Sequence, residues 1–193
     1  RERAKAAKSL IAKTAEVLHT LAMADCRFAI ALTPRESAAP HPHGAEDIEF
    51  LISTNPGAAP QPLGKIASGG ELSRISLAIQ VVTAKGGTLP SMVFDEVDVG
   101  IGGAVAEVVG RLLRGLARDA QVLCVTHLAQ VASQGHRHLL VSKTSDKTAA
   151  WARLAALEDE QRTQEIARML GGVKLTERSL EHAREMLRDA EDA

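Results

Sequence analysis

The sequence predicts an α/β fold with a parallel βαβ core, preceded by a long helix. Two short apolar runs, residues 92–94 and 122–125, have the length and composition of buried strands. Between them, apolar residues recur at helical spacing from Val105 to Leu116. A strand, a helix of this length and a second strand form a crossover unit with parallel strands and a right-handed connection. Helical periodicity over residues 1–22 predicts the preceding helix.

Length and composition limit the class of protein. The chain has 193 residues, 45% apolar and 24% charged, which is the balance of a soluble globular domain. No apolar run approaches the roughly 20 residues of a membrane-spanning helix, and the charged first residues do not resemble a secretory signal. A net charge of −1 and few aromatic residues give no nucleic-acid footprint. Cys26 and Cys124 are far apart in sequence and form neither a disulfide framework nor a metal-binding pattern, which indicates a protein of the reducing cytoplasm.

The N-terminal helix has one apolar seam. Its residues alternate at spacings of three and four, like the a and d positions of a coiled coil. They are Ala4, Ala7, Ile11, Thr14, Leu18 and Leu21. This periodicity fits the end of a coiled coil, and it also fits an amphipathic helix on a globular surface.

Shorter elements surround the βαβ core. Period-2 alternation predicts half-buried strands around residues 28–32 and 48–52, each followed by a proline-rich loop. These loops cover residues 34–45 and 55–64. The remaining predicted elements are a helix over 70–84, strands near 138–143 and 149–157, and helices over 160–170 and 176–190 with Gly171-Gly172 as the stop between them.

Polar residues follow both strands of the βαβ core. Asp95 and Glu96 come directly after the first strand, and Thr126 and His127 end the second. Ligands bind outside the carboxyl ends of parallel strands, so we expect two carboxylates and an imidazole at one sheet edge. An Asp in this position is a natural ligand for Mg²⁺, and a second carboxylate could deprotonate a water. Either acid alone could merely cap a loop, and a single His after a strand is most often a packed core residue.

A glycine pair opens the helix predicted over residues 70–84. Ser68 at the N-cap with Glu71 three residues on is a capping box, and this explains Ser68 without any ligand. It does not explain Gly69 and Gly70, which cost helix propensity. Glycines there let an anion approach bare N–H groups at the positive end of the helix dipole. A phosphate-binding loop of the form G-x-x-x-x-G-K-[ST] does not occur in the sequence.

These motifs together resemble those of a known ATPase superfamily. The residues S-G-G-E (68–71) resemble the signature motif of ABC-type ATPases, residues 92–96 resemble their Walker B strand, and His127 matches their switch histidine. The D-loop of these ATPases would lie at Val97-Asp98. The runs SGGELSR, VFDEVDVGIGG, VTHLAQVA and EIARMLGG are similar, more narrowly, to bacterial DNA-repair proteins of the SMC-like group.

The resemblance implies an architecture. In SMC-like proteins a P-loop NTPase head of the ABC type is built from two lobes joined through a long coiled coil, and the Walker A loop lies in the N-terminal lobe. Residues 1–24 would then end the coiled-coil arm, and residues 25–193 would form the C-terminal lobe. The cofactors implied are ATP and Mg²⁺. The chain alone is expected to be an inactive part of an ATPase.

The resemblance also implies roles for residues. Asp95 would position Mg²⁺, Glu96 would polarise the attacking water, and His127 would contact the γ-phosphate. Asp98 would couple the two sites of a head dimer. The residues that would bind ATP held by the other head are Ser68, Gly69, Gly70 and Glu71.

The biological role implied is repair of DNA double-strand breaks and recombination in the bacterial cytoplasm, at the nucleoid, as part of the SOS response to DNA damage. The implied partners are the Walker A lobe, a second head, double-stranded DNA and the RecA recombinase, with no membrane. An ATP-gated clamp that bridges DNA with little hydrolysis is the alternative, which the presence of Glu96 disfavours. The nucleotide-binding subunit of an ABC transporter is a weaker third possibility, because transporter signatures usually carry Gln at the position of Glu71.

Overall fold

The chain forms two compact units. The computed structural model describes residues 1–36, 41–66, 68–84, 89–145, 150–171 and 175–192. The first unit comprises Arg1–Leu89 and Phe94–Val99, and the second comprises Pro90–Val93 and Gly100–Ala193. In the parts that are described, no helix combines the length and the apolar character needed to cross a membrane.

The first unit contains two helices and an antiparallel sheet. Helix α1 spans Glu2–Thr20 and helix α2 spans Gly69–Thr83. The sheet has the order β1-β2-β3, with β1 at Arg27–Pro34, β2 at Glu46–Ser53 and β3 at Gln61–Pro62. The structure confirms both predicted helices and both predicted strands of this part.

The core of the first unit explains why these segments fold as they do. Phe28 and Ile52 lie opposite each other in the β1–β2 register and are both buried. Phe28 also contacts Phe50 edge to face, with ring centroids 5.5 Å apart. The C-terminal part of α1 buries Leu18 completely, and Leu21 directly after the helix is also fully buried, whereas the first turns of α1 are largely exposed. Only the end of the predicted seam therefore contributes to this core.

The second unit contains the βαβ core. Strand β4 spans Ser91–Phe94, helix α3 spans Gly103–Leu116 and strand β5 spans Gln121–Cys124. The two strands are neighbours in one parallel sheet, as predicted. Their predicted burial is wrong, because the sheet of two strands that the structure describes leaves Val93 70% exposed and Leu123 43% exposed. Helix α3 buries a regular apolar face that includes Ala106, Val109 and Leu113.

The rest of the second unit is a hairpin and a small helical cluster. A short helix, α4, spans Ala129–Ala132, and strands β6 (Leu139–Ser145) and β7 (Ala150–Ala156) pair antiparallel. Helices α5 (Asp159–Gly171) and α6 (Glu177–Glu191) follow. Their buried cluster consists of Ala129, Ile166, Ala167 and Ala183.

Two arginines stabilise the carboxyl end of α4. Arg114 Nη1 donates to Gln134 O (2.8 Å), and Arg162 Nη2 donates to Ser133 O (2.9 Å). Carbonyls beyond the end of a helix lack partners within the helix, so these cations have a structural use there.

The structure adds detail that the periodicity did not predict. The loop predicted over residues 55–64 contains β3 and leads into a 3₁₀ turn at Leu63–Lys65. Helix α4 was not predicted either, because a single turn has no measurable period. Helix α5 ends at Gly171, the first residue of the predicted stop, and Gly172 lies outside the described residues.

Candidate functional site

The first part of the site is the N-terminus of α2. Ser68 is the N-cap in extended conformation, and its Oγ accepts a hydrogen bond from Glu71 N at 3.4 Å. Ser68 and Gly69 are exposed, and Gly70 is buried. The free backbone N–H groups of the first turn and the helix dipole make this end favourable for an anion.

The second part is the loop Asp95–Val99, which follows β4. Asp95 and Glu96 are exposed, whereas Val97 is fully buried and Asp98 is only 2% exposed. Asp95 Oδ1 accepts a hydrogen bond from Glu96 N at 2.9 Å. Glu96 has φ +58°, in the left-handed region that side chains other than glycine rarely adopt. Such conformations cost about 1–3 kcal/mol and cluster at functional sites.

The two parts are in direct contact within the first unit. A Cβ on Gly69 would overlap Glu96 Oε2, so the Glu96 carboxylate lies against the start of α2. A Cβ on Gly70 would be 3.2 Å from both Glu96 O and the Val99 Cβ. The glycine pair therefore has a reason beyond access for an anion, because it lets the acid loop approach the helix closely.

Two side chains of α2 join the helix to the same loop. Ser73 Oγ donates to Asp95 O at 2.7 Å, and Arg74 Nη1 donates to Val99 O at 2.7 Å. Arg74 is only 9% exposed, and burial lowers the pKa of its guanidinium, an effect that Glu71 and Cys26 oppose. Sequence reasoning missed both residues. Their signal was helical spacing, since Ser73 and Arg74 lie three and four positions after Gly70.

Cys26 lies in the electrostatic environment of this helix. Burial is the main reason why the pKa of its thiol is raised, with smaller contributions from Glu71 and Asp25 that Arg74 opposes. A thiol with a raised pKa is mostly protonated and unreactive near neutral pH. Cys26 is therefore a poor candidate for a nucleophile.

His127 belongs to the second unit. It is exposed and lies beyond the end of β5, next to Thr126, whose Oγ1 accepts a hydrogen bond from Leu128 N at 3.0 Å. This local turn follows the end of the extended segment. The structure thus brings Gly69 and Gly70 together with Asp95 and Glu96. That His127 meets the acids at one sheet edge stays a prediction.

The donor set of the loop fits magnesium bound with a nucleotide. Among the described residues there is no group of three or more His, Cys, Asp or Glu side chains that could hold a metal ion. Mg²⁺ does not need one, because it typically binds one or two carboxylates together with waters and substrate phosphates. Exposed Asp95 offers such a carboxylate, with its Oδ1 already oriented by the backbone.

Comparison with solved structures defines the class of fold. A chain solved in work on ATP-driven dimerisation and DNA-stimulated activation of SMC ATPases matches with a TM-score of 0.50 at 14% identity, covering 88% of this chain and 96% of that one. The Smc head domain with a coiled coil and joint from Pyrococcus yayanosii matches with a TM-score of 0.54 at 19% identity, over 95% of this chain and 29% of that one. The chain therefore has the fold of an SMC ATPase head, which is a P-loop ATPase fold.

Comparison with curated sequences is more specific. The chain is 49% identical over 190 residues to the DNA repair protein RecN of Xylella fastidiosa (strain 9a5c), covering 98% of this chain and 34% of the relative. It is 48% identical over 187 residues to that of Vibrio cholerae, covering 97% and 34%. No family model matches. The chain is thus recognised as a RecN-like sequence from the C-terminal part of these proteins, and it spans about a third of their length.

Proposed function

We propose that residues 25–193 are the C-terminal lobe of an ATPase head in a bacterial SMC-like protein of DNA double-strand-break repair and recombination. Residues 1–24 end its coiled-coil arm. The lobe supplies a signature motif, a Walker B acid pair, a D-loop and a switch histidine to ATP sites formed between two engaged heads. The observation that carries this proposal is the exposed pair Asp95-Glu96, held at the end of β4 against the start of α2.

The two acids have different roles in the proposed hydrolysis. Bound Mg²⁺ would neutralise charge that develops on the phosphates. Asp95 would hold that ion, with its carboxylate oriented by the Glu96 N–H. Glu96 would orient the attacking water and accept its proton. The two carboxylates have different neighbours, because Asp95 Oδ1 accepts a hydrogen bond from Glu96 N whereas Glu96 Oε2 lies against Gly69.

The signature residues act on a second nucleotide. Ser68 and Gly69 are exposed at the positive end of α2, where backbone N–H groups can bind the γ-phosphate of ATP carried by another head. Glu71 maintains this end by donating its backbone N–H to Ser68 Oγ. His127 contacts the γ-phosphate of the ATP in its own head. ATP binding then engages two heads, and hydrolysis releases them.

The partners follow from this role. The Walker A loop comes from the N-terminal lobe of the same protein, and a second copy supplies the second head. Double-stranded DNA is held by the arms, RecA acts with the protein during recombination, and the site of action is the nucleoid in the bacterial cytoplasm. These partners are supported by the likeness to RecN relatives. The net charge of the chain, −1, gives no separate support for DNA binding.

A clamp that bridges DNA with little hydrolysis is the second candidate. It requires the same engagement of heads, and it differs only in whether Glu96 acts as a base. The presence of an exposed Glu96 carboxylate directly after Asp95 favours hydrolysis, because a head that does not hydrolyse ATP has no use for this second acid.

Nucleotide binding by the chain alone tests the proposal. Because no phosphate-binding loop occurs in its sequence, calorimetric titration with Mg-ATP should give no measurable heat at micromolar nucleotide. The full-length protein is the positive control and should bind. Micromolar affinity of the chain by itself would contradict the division of the site between two lobes.

A further inference from the structure

Four residues in the first two turns of α2 contact the loop Asp95–Val99. Gly69 lies against the Glu96 side chain, and Gly70 against the Glu96 and Val99 backbones. Ser73 then donates to Asp95 O, and Arg74 donates to Val99 O. The hydrogen bonds hold both ends of the loop Asp95–Val99, and the absence of a Cβ at Gly69 and Gly70 lets Glu96 and Val99 approach the helix.

The two polar contacts go to backbone carbonyls and not to the acids themselves. A bond to a carbonyl leaves both carboxylates free for ligands while it fixes the backbone from which they extend. Asp95 and Glu96 are exposed, and the local contacts of their side chains are the bond from Glu96 N to Asp95 Oδ1 and the approach of Glu96 Oε2 to Gly69. Ser73 and Arg74 therefore determine where the two carboxylates start, and α2 provides the rigid support that a precise site requires.

The burial of Asp98 and Arg74 also indicates that α2 fixes the backbone of the loop. Asp98 is only 2% exposed and Val97 is fully buried, so the acids that the loop presents to ligands are Asp95 and Glu96. Arg74 is buried as well, and its Nε has no hydrogen-bond partner among the described residues. Burying a guanidinium is costly, and it is tolerated where its remaining bonds are strong. The bond to Val99 O is thus an essential contact for this side chain.

We propose that Ser73 and Arg74 are positioning residues, which hold the loop Asp95–Val99 on α2 so that the metal-binding acid and the base keep their geometry. This inference rests on the proposed function. One consequence is that the helix start that faces a second nucleotide and the loop that serves the first form one rigid element.

The test compares matched variants of the full-length protein. Ser73→Ala removes the hydroxyl that donates to Asp95 O, and Ser73→Thr keeps it. Arg74→Met keeps most of the apolar stem and removes the donors. The readouts are Mn²⁺ affinity by electron paramagnetic resonance with a non-hydrolysable ATP analogue, together with kcat and KM for Mg-ATP.

We expect Ser73→Ala to weaken Mn²⁺ binding and to lower kcat, each by about 3- to 10-fold, which is the effect of one neutral hydrogen bond. KM for ATP should change by less than about 2-fold, because the phosphate contacts are elsewhere. Ser73→Thr should restore both values. Arg74→Met should have the larger effect, about 10- to 100-fold in kcat, since its donor is charged.

A purely structural role predicts a different result. It would lower the melting temperature and the active fraction of the protein while Mn²⁺ affinity stays unchanged, and that outcome in Ser73→Ala would overturn the inference. If Arg74→Met does not fold, the Ser73 pair still decides. Asp95→Asn distinguishes a failure of the proposed function from a failure of this inference. Normal Mn²⁺ affinity in Asp95→Asn would refute the proposed function, whereas a loss there with none in Ser73→Ala would refute only this inference.

Discussion

Replacing Glu96 with glutamine changes one property of the site. Glutamine has nearly the same shape as glutamate and can still orient a water, but it cannot accept the proton. Both residues bear a similar cost at φ +58°, so the backbone of the loop is expected to stay the same. The close approach to Gly69 is also preserved, because the side-chain length does not change.

The expected magnitude follows from these conditions. Removing a general base typically lowers the rate 10²- to 10⁴-fold, which corresponds to about 3–5 kcal/mol of activation free energy. Glu96 is exposed, and its carboxylate accepts no hydrogen bond from the residues that the structure describes, so the free energy of unfolding should change by less than about 0.5 kcal/mol. Binding of Mg-ATP should persist, because Asp95 and the signature residues are intact. Engaged heads should therefore accumulate with ATP unhydrolysed.

The assay is single-turnover hydrolysis by the full-length protein, with sedimentation to measure the fraction of engaged heads. Glu107→Gln is the matched control, because Glu107 lies on α3 and pairs with Arg111 one turn away. Loss of that surface pair should cost about 0.3–0.5 kcal/mol of stability and leave turnover unchanged. Hydrolysis by Glu96→Gln at a rate close to that of the wild type would refute the base assignment and favour the clamp.

Three further experiments, with four substitutions, test the switch histidine, the packing of α3 and the titration of His138. His127→Ala should lower turnover about 10²- to 10³-fold with little change in melting temperature, since the side chain is exposed, and a large loss of melting temperature would instead indicate a core histidine. Gly110→Ala should destabilise the protein by about 1–3 kcal/mol, because its Cβ would lie 2.6 Å from Gln134 Cγ. On the same helix the Cβ of Gly115→Ala would meet nothing within 4 Å, so this variant should be more stable by up to about 1 kcal/mol. Equal melting temperatures of the two variants would contradict the close packing of Gly110 against Gln134. Burial, reinforced by Arg162, lowers the pKa of His138, so the unfolded state binds more protons and stability should fall as the pH drops below about 6.5. When urea denaturation is measured at pH 7 and at pH 5, His138→Gln should lose less stability than the wild type between the two. An identical loss would show that the lowered pKa of His138 is not the cause.

Sequence pattern predicted most of the architecture because most elements have a regular apolar pattern, although the apolar residues of the βαβ strands are more exposed than that pattern predicts. Strand β4, helix α3 and strand β5 were recognisable from apolar runs and helical spacing alone, and β1 and β2 from their period-2 alternation. Helix α4 and strand β3 are too short to show a period. The seam of α1 could not be assigned from periodicity, because alanine and threonine occur in coiled coils and on globular surfaces alike.

The site was less predictable, because its geometry is tertiary. Adjacent acids after a strand pointed to Asp95 and Glu96, but no local signal gives the left-handed conformation of Glu96. The glycine pair suggested access for an anion, and its close approach to the acid loop required coordinates. The contacts of Ser73 and Arg74 go to backbone carbonyls more than 20 residues away, and such acceptors exist at every position of a chain.

The central claim is that each ATP site takes its acids from one head and its signature motif from the other. Mixing two inactive full-length variants, Ser68→Arg and Glu96→Gln, tests it directly. In a mixed dimer one site receives Glu96 from the first variant and Ser68 from the second, so it is complete, whereas the other site is doubly defective. At equal amounts, random pairing gives one working site in half of the dimers, and we predict about a quarter of wild-type turnover. If the mixture is as inactive as each variant alone, although mixed dimers form, then the acids and the signature motif serve the same nucleotide and the account is wrong.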